Sequence, residues 1–191
     1  MLLVGDRLAI TGCWDDTPTP PGRETVCLQP SQAWGNGYHP STRRLLDIIE
    51  RELRPSDVVY DIGTGSGILA LAAARLGASY VYAVERNQRT LASAVVNVEA
   101  NNLTGRISVS AGIPHADRET VDLILCNIGG ASGMPEILRF AGHALSPDGF
   151  FALVFNGDLA ALDSASYRLL PGGPTDELSD GSHYIALRRS P

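Results

Sequence analysis

A glycine-rich turn between two apolar segments constrains the fold of this chain more than any other feature. Residues 58–62 form the short apolar run Val-Val-Tyr-Asp-Ile, and Gly63, Gly65 and Gly67 follow at alternate positions before the apolar run 68–76. Glycine has no Cβ, so it permits positive φ and a close approach between backbone and ligand. A helix that starts here presents free N–H groups. The segment predicts a strand, a tight turn and a helix of the kind found in many nucleotide-binding folds.

Apolar strands and helical patterns alternate through the middle of the chain. The periodicity predicts helices at residues 40–54, 68–76, 87–100 and 135–145 and strands at residues 58–62, 80–84, 107–109, 121–126 and 150–155. Such alternation favours a parallel sheet with helices on both faces. The short, continuously apolar strands agree with this, because strands of a parallel sheet are buried on both sides.

The C-terminal part departs from this alternation. Residues 157–166 leave room for a short helix, and residues 167–170 and 184–187 are predicted to form a closing antiparallel pair joined by the loop 171–182. Together with the alternating part, this pair predicts an α/β fold with a doubly wound, mostly parallel seven-stranded sheet.

The N-terminal part is rich in turns. Residues 8–10 and 26–28 are predicted to be short strands that flank the loop DDTPTPPGRE. We therefore expect residues 1–40 to form a short N-terminal β extension with a loop that contributes to the site. Residues 41–191 would form the main ligand-binding domain, and the two parts would make one compact unit.

The composition disfavours several classes of function. The 191 residues are 44% hydrophobic and 19% charged, which is typical of a globular protein with a core. The net charge of −6 disfavours a nucleic-acid substrate, because nucleic-acid binding draws on a basic surface. The longest apolar stretch, residues 68–74, is far shorter than the ~20 residues that span a bilayer. The N-terminus shows no leader pattern, so we expect a soluble, cytoplasmic protein with no membrane partner.

The cysteines and histidines do not suggest a metal centre. Cys13, Cys27 and Cys126 are odd in number and widely spaced, and the four histidines are equally scattered. This usage indicates reduced thiols in a cytoplasm and predicts no metal site.

The spacing of the glycines and one acidic residue indicate the type of ligand. The turn has the pattern G-x-G-x-G, whereas the dinucleotide fingerprint would place its third glycine at Ile68. Asp61, just before the turn, would repel a pyrophosphate and would attract the ammonium and sulfonium of S-adenosylmethionine (AdoMet). The pattern thus favours AdoMet over a nicotinamide cofactor. The alternative is a tight turn without a ligand, in which Asp61 only caps backbone.

Glu85 is a second candidate for the same site. It directly follows the predicted strand 80–84, and ligands of open α/β sheets bind at the carboxyl ends of strands. An ionised carboxylate there can accept two hydrogen bonds from the vicinal hydroxyls of a ribose. The alternative is a solvated acidic residue at the start of a loop.

The segment that contains Asp61, the glycine turn and Glu85 resembles a known class of enzymes. Residues 58–85, VVYDIGTGSGILALAAARLGASYVYAVE, closely resemble motif I and the following strand of class I AdoMet-dependent methyltransferases. The resemblance implies the Rossmann-like methyltransferase fold, AdoMet as cofactor and S-adenosyl-L-homocysteine as product. It implies a cofactor site formed by Asp61, Gly63, Thr64, Gly65, Gly67 and Glu85. The acidic residue expected to contact adenine is replaced by Ser110-Ala111-Gly112, so backbone or Asp117 would substitute.

A second segment resembles a narrower family. Residues 32–42, QAWGNGYHPST, are similar to the pattern Ala-Phe-Gly-Thr-Gly-x-His-Pro-Thr-Thr of the bacterial methyltransferases that act on ribosomal large-subunit protein eleven. The likeness covers residues 4–156. Trp34, Asn36 and Tyr38 replace Phe, Thr and Thr, and the N-terminal recognition domain of that family is expected to be missing. The resemblance implies methylation of an amine on a small molecule, a peptide or a protein.

Residues around the predicted site can be given roles on this basis. Asn127 would orient the amine and contact the cofactor, or it is a plain turn-forming residue. His39 would accept a proton, or it holds the loop. Trp34 beside the cofactor and Tyr38 in the substrate pocket would favour a cationic sulfonium, or they pack over the core. Ile128 would line the substrate pocket. Methyl transfer needs mainly alignment of nucleophile and methyl group.

Other functions stay open. The segments GASYVYAVE and GRISVSAG also resemble protein arginine methyltransferases, but the paired-glutamate loop of that group is replaced by residues 127–130, Asn-Ile-Gly-Gly. An O-methyltransferase is a further variant. A non-catalytic partner protein that keeps the fold and pocket is an alternative of another class. A homodimer is also compatible with the sequence.

Overall fold

The computed structural model describes residues 1–112, 120–129, 133–156 and 172–188, with the backbone alone at 172–177, 187 and 188. The helices are α1 (Pro40–Glu52), α2 (Ile68–Leu76), α3 (Gln88–Ala100) and α4 (Met134–Ala144). The strands are β1 (Leu2–Val4), β2 (Leu8–Gly12), β3 (Glu24–Leu28), β4 (Val58–Ile62), β5 (Tyr80–Val84), β6 (Ile107–Ser110), β7 (Val121–Ile128), β8 (Leu145–Phe155), β9 (Gly172–Glu177) and β10 (His183–Arg188).

The main sheet has seven strands in the order β6-β5-β4-β7-β8-β10-β9. The first five pair in parallel, and β10 pairs antiparallel with both β8 and β9. The predicted α/β class with a doubly wound, mostly parallel sheet is confirmed. The strand order reverses between β4 and β7, which is where open α/β sheets bind ligands.

Helices cover both faces of this sheet. On one face α2 is almost wholly buried, because its alanines at 70 and 72–74 let the helix lie close to the strands. Helix α1 packs against α2 through an apolar face that contains Leu45, Leu46 and Ile49. On the other face, α4 buries Ile137 and Leu138 in a second core.

The N-terminal residues form a separate three-stranded sheet, β1-β2-β3, in which β2 and β3 are parallel. Leu8, Ile10 and Val26 from this sheet belong to the same core as α1 and α2. The guanidinium of Arg23 donates to the carbonyl oxygens of Val4, Leu8 and Gly5. The three-stranded sheet is therefore packed against α1 and α2 through apolar contacts.

Several predicted boundaries are confirmed and several are wrong. Strands β4 and β5 and helix α2 occupy the predicted residues, and Asn87 caps α3 by accepting from two backbone N–H groups. Strand β7 runs to Ile128 rather than stopping at residue 126, because Asn127 and Ile128 still pair with β8. Strand β8 begins at Leu145, where the prediction continued a helix. Strand β1 was not predicted.

The C-terminal prediction needs one correction. Residues 171–182 were predicted to be a loop, but 172–177 form β9, the edge strand that pairs with β10. The misassignment reflects the Gly-Gly-Pro sequence, which looks like a turn but is tolerated where an edge strand needs few partners. The predicted strand 167–170 and the predicted helix within 157–166 lie outside the described residues.

The described part of the chain contains neither a membrane-spanning helix nor a cluster of metal ligands. None of its helices combines the length and apolar character that a bilayer span requires. The same residues hold no group of three or more His, Cys, Asp or Glu side chains arranged to bind a metal ion.

Candidate active site

A cavity of about 900 Å³ opens at the carboxyl ends of four neighbouring parallel strands. The last residues of β4, β5, β7 and β8, which are Ile62, Val84, Ile128 and Phe155, all line it. The cavity therefore spans the point at which the strand order reverses. Its volume lies at the upper end of the ~300–1,000 Å³ that is usual for small-molecule sites.

The predicted glycine turn forms one wall of this cavity. Gly63, Gly65 and Gly67 all have positive φ, a conformation that glycine adopts without strain. A Cβ on Gly65 would lie 2.5 Å from the carbonyl oxygen of Trp34, so only glycine fits. That same oxygen accepts a 2.9 Å hydrogen bond from Ser66 N–H. The turn and the loop that contains Trp34 are thus joined backbone to backbone.

Glu85 also lines the cavity and is fixed by two backbone donors. Its carboxylate accepts hydrogen bonds from Gly65 N–H at 3.3 Å and from Asn87 N–H at 2.9 Å. Each carboxylate oxygen has a second acceptor position. The side chain is therefore oriented before any ligand arrives and can still accept from neighbouring hydroxyl groups.

Asp61 is buried behind the turn rather than in the cavity lining. One carboxylate oxygen accepts from Thr64 Oγ at 2.5 Å and from Ala70 N–H at 3.1 Å, and the other is buried with no hydrogen-bond partner among the described residues. Burial, together with the nearby charge of Glu85, raises the pKa of Asp61 to about 6. A direct contact between this carboxylate and the cofactor stays a prediction.

Thr64 and Gly67 also lie outside the cavity lining. Thr64 is buried and donates to Asp61, while Gly67 precedes α2 and faces Ala94 of α3. Both therefore face the protein interior. Their predicted role in cofactor binding stays a prediction.

Asn127, Ile128, His39 and Trp34 also line the cavity. The amide of Asn127 donates from Nδ2 to Ser41 Oγ at 3.3 Å and to Thr42 Oγ at 3.4 Å, both in the first turn of α1. The Nδ2 end of the amide thus faces the first turn of α1. Oδ1 of Asn127 has no partner in the described structure and is available as an acceptor.

His39 connects three elements at this end of the cavity. Its Nδ1 lies 2.8 Å from Ser41 Oγ and 3.3 Å from a carboxylate oxygen of Asp180, in the turn before β10. Its ring meets that of Trp34 edge-on, with centroids 4.6 Å apart. His39 therefore has both a structural role at the start of α1 and a place in the cavity wall.

Tyr38 lies elsewhere. It is 65% exposed and lines a second cavity of about 390 Å³ on the other side of the loop 33–38. Trp14, Asp15 and Ser66 line the same second cavity. The role of Tyr38 in the substrate pocket stays a prediction, and the structure separates it from Trp34 because the two residues face opposite sides of the loop.

Sequence reasoning missed several polar residues of the main cavity. These are Gln32, Arg86, Thr90, Glu136, Asn156 and Ser182. The sequence could have indicated Arg86 and Thr90, since Arg86 directly follows Glu85 and Thr90 lies in the first turn of α3. Glu136 and Ser182 come from distant segments, and no pattern in the sequence marks them.

The fold and the site together place the chain among the class I AdoMet-dependent methyltransferases, the class that the sequence resemblance indicates. The chain belongs to the ribosomal protein L11 methyltransferase (PrmA) family, whose sequence profile matches residues 2–154. The glycine cradle, the pre-oriented carboxylate of Glu85 and the size of the cavity fit AdoMet, which is the cofactor.

Individual relatives agree with this assignment. The ribosomal protein L11 methyltransferase of Pelotomaculum thermopropionicum is 37% identical over 150 residues, which are 76% of this chain and 47% of that protein. The crystal structure of ribosomal protein L11 methylase from Lactobacillus delbrueckii subsp. bulgaricus matches with a TM-score of 0.82 at 27% identity, covering 98% of this chain and 97% of that one. SMU.776, solved as a complex with SAH, shares the fold (TM-score 0.65, 15% identity, 80% and 50% covered). The chain spans about half the length of the curated Pelotomaculum relative.

Proposed function

We propose that this chain transfers a methyl group from AdoMet to an amine nitrogen of a protein, with ribosomal protein L11 as the first candidate substrate. The observation that carries the proposal is one continuous cavity that extends from Glu85 to Asn127 and Ser182. A cavity of about 900 Å³ accommodates a cofactor in one half and an acceptor group in the other. The family supplies the candidate, because its relatives are named for L11.

The half near Glu85 would hold the cofactor. Glu85 would accept hydrogen bonds from ribose hydroxyls, while Gly63 and Gly65 let the backbone approach the amino-acid part of the ligand. Bound there, AdoMet supplies an electrophilic methyl group on a cationic sulfur. Negative charge from Asp61 and Glu85 near this wall favours a cationic ligand over a phosphate.

The half near Asn127 would position the acceptor amine. Its free Oδ1 would accept an N–H of the amine and hold the nitrogen lone pair toward the methyl carbon. As the new C–N bond forms, the C–S bond breaks and its electrons remain on sulfur. Alignment of this kind can raise the rate of a displacement by several orders of magnitude. His39, in the same wall, would accept the proton that the ammonium form of the amine must lose.

The exposed aromatic residues favour a protein as the acceptor. Trp34, which lines the main cavity, is 57% exposed, and Tyr38 and Trp14, which line the second cavity, are 65% and 67% exposed. Exposed apolar surface beside a site is characteristic of contacts with another macromolecule. A metabolite enclosed in the main cavity would not need Trp14 or Tyr38.

The test is methyl transfer from radiolabelled AdoMet to purified L11, followed by mass spectrometry to locate the modified atoms. We expect label on lysine side chains or the N-terminal amine, and no label on L11 whose amines have been acetylated beforehand. Glu85→Gln is the matched variant: it keeps the shape of the side chain and removes its charge, so it tests whether labelling depends on the carboxylate. AdoMet binding without label on L11 would overturn L11 as the substrate. Label confined to arginine side chains or oxygen atoms would overturn methylation of an amine.

A further inference from the structure

Two cysteines of the N-terminal sheet lie in contact. Cys13 follows the last residue of β2, Cys27 is in the neighbouring strand β3, and their sulfur atoms are 2.6 Å apart. This separation is about half an ångström longer than the ~2.05 Å of a disulfide bond. Backbone pairing holds the arrangement, since Thr11 is the register partner of Cys27 and Cys13 N–H donates to Leu28 O.

We propose that Cys13 and Cys27 are a thiol-modification site that closes to a reversible disulfide when a small-molecule disulfide is present. Both side chains are half-buried, so a small reagent reaches them, and both are free thiols in this structure. The sequence spacing predicted only separate reduced thiols. The inference does not depend on the proposed methyl transfer.

The geometry assigns a different task to each sulfur. Cys13 Sγ–H donates to Cys27 Sγ, so the two sulfur atoms are in direct contact. Burial and the contact with Cys27 raise the pKa of Cys13 to about 12, so Cys13 keeps its proton. Cys27 is therefore the attacking thiol and Cys13 the resolving thiol.

The reaction balances with oxidised glutathione as the oxidant. The Cys27 thiolate attacks one sulfur of the glutathione disulfide, forms a mixed disulfide and releases one glutathione thiolate. The Cys13 sulfur then loses its proton and attacks Cys27 Sγ, which releases the second glutathione. The protein loses two protons and two electrons, and one glutathione disulfide takes them up and becomes two thiols.

The site touches the second cavity. Trp14 and Asp15, next to Cys13, line that cavity. On the other strand, Asn101, which caps the C-terminal end of α3, accepts from Cys27 N–H and donates to Cys27 O, so this end of the pair is anchored to the main domain. A disulfide would close the loop 14–26 and hold the wall that contains Trp14 against β3.

The experiment is intact-mass analysis of the native full chain after incubation with oxidised glutathione. We expect the mass of two hydrogens to be lost, the change to be reversed by dithiothreitol, and the linked peptides to contain Cys13 and Cys27. Cys126→Ser is the matched control and should oxidise like the wild type, because Cys126 is fully buried.

Two further variants separate the roles. Cys13→Ser should stop at a mixed disulfide with one glutathione on Cys27, and Cys27→Ser should gain far less glutathione over the same time. A wild-type chain that stays fully reduced, or that carries glutathione on both cysteines without a crosslink, would overturn the proposal. The wild-type mass alone decides this, so the result does not depend on how either variant folds.

Discussion

The carboxylate of Asp180 lies 3.3 Å from Nδ1 of His39 and joins the turn before β10 to the residue that caps α1. The two residues are far apart in the sequence, and His39 and the neighbouring Ser182 both line the main cavity. Asp180 is itself held by Ser182, whose N–H and Oγ–H donate to its other carboxylate oxygen at 3.0 and 2.5 Å. Its orientation toward His39 is therefore fixed from the hairpin side.

Asp180→Asn should lower turnover without affecting the cofactor. Asparagine keeps the acceptor oxygen that Ser182 needs and loses only the charge that faces His39. We expect kcat for methyl transfer to fall by up to about fivefold, because a partly exposed ion pair is worth ~0.2–1 kcal/mol. The AdoMet dissociation constant, measured by calorimetry, should not change. Added salt should narrow the difference between variant and wild type; an equal kcat at low salt would contradict this role.

Gly65→Ala should abolish most AdoMet binding. The new Cβ would meet the carbonyl oxygen of Trp34 at 2.5 Å, and the φ of +59° at this position is unfavourable for alanine. Either the turn or the loop must shift, and we expect a loss of at least about tenfold in affinity, which corresponds to ~1.4 kcal/mol. Gly105→Ala is the control, since a methyl group at that position would have no neighbour within 4 Å and the φ of Gly105 is not positive. Equal affinities in the two variants would refute the geometry of the turn.

Asn127→Ala should lower kcat more than cofactor affinity. The substitution removes the acceptor that we assign to the amine and leaves the glycine turn and Glu85 in place. We expect kcat to fall by about tenfold or more, an effect confined to the transition state, while the AdoMet dissociation constant stays within about twofold. Steady-state kinetics and calorimetry on the same preparations measure the two quantities. A parallel loss of both would place Asn127 in cofactor binding instead.

Asp61→Asn should remove a pH-dependent loss of stability. The folded protein raises the pKa of Asp61 from 3.8 to about 6, so the folded state binds this proton more tightly than the unfolded state. The stabilisation by that proton is complete below pH ~4 and is lost as the pH rises through ~6. It corresponds to about 3 kcal/mol for a shift of about two units. Urea unfolding from pH 4 to pH 7 should show the variant gaining stability relative to the wild type across this window; parallel curves would contradict the burial of an ionisable carboxyl.

The strands and helices nearest the glycine turn could be predicted because local signals agree there. β4, α2 and β5 are mostly apolar, and Gly77 ends α2 in the left-handed conformation, as glycine does at helix ends. Local sequence was a poor guide to β9, whose residues resemble a turn. The pairing of β9 with β10 depends on the edge of the finished sheet, which no short window contains.

The cofactor half of the site could be predicted better than the acceptor half. Gly63, Gly65 and Glu85 line the cavity as expected because strand ends in a parallel sheet share one edge. The position of the Asp61 side chain was harder to predict from its charge alone, because hydrogen bonds turn its carboxyl toward α2. The contact between Asp180 and His39 arises only when β10 lies beside β8.

The proposed cofactor and acceptor parts of the cavity also differ in how far apart in the sequence their lining segments lie. The wall around the glycine turn and Glu85 is built largely from consecutive elements, β4 to α3, whose contacts are close in sequence. The part of the lining that contains His39 and Ser182 brings together widely separated segments, an arrangement with high contact order. During folding, the part that would bind the nucleoside should therefore form early, and the part that would position the acceptor should form last. Disruption of the β10 hairpin should then leave cofactor binding intact and abolish methyl transfer.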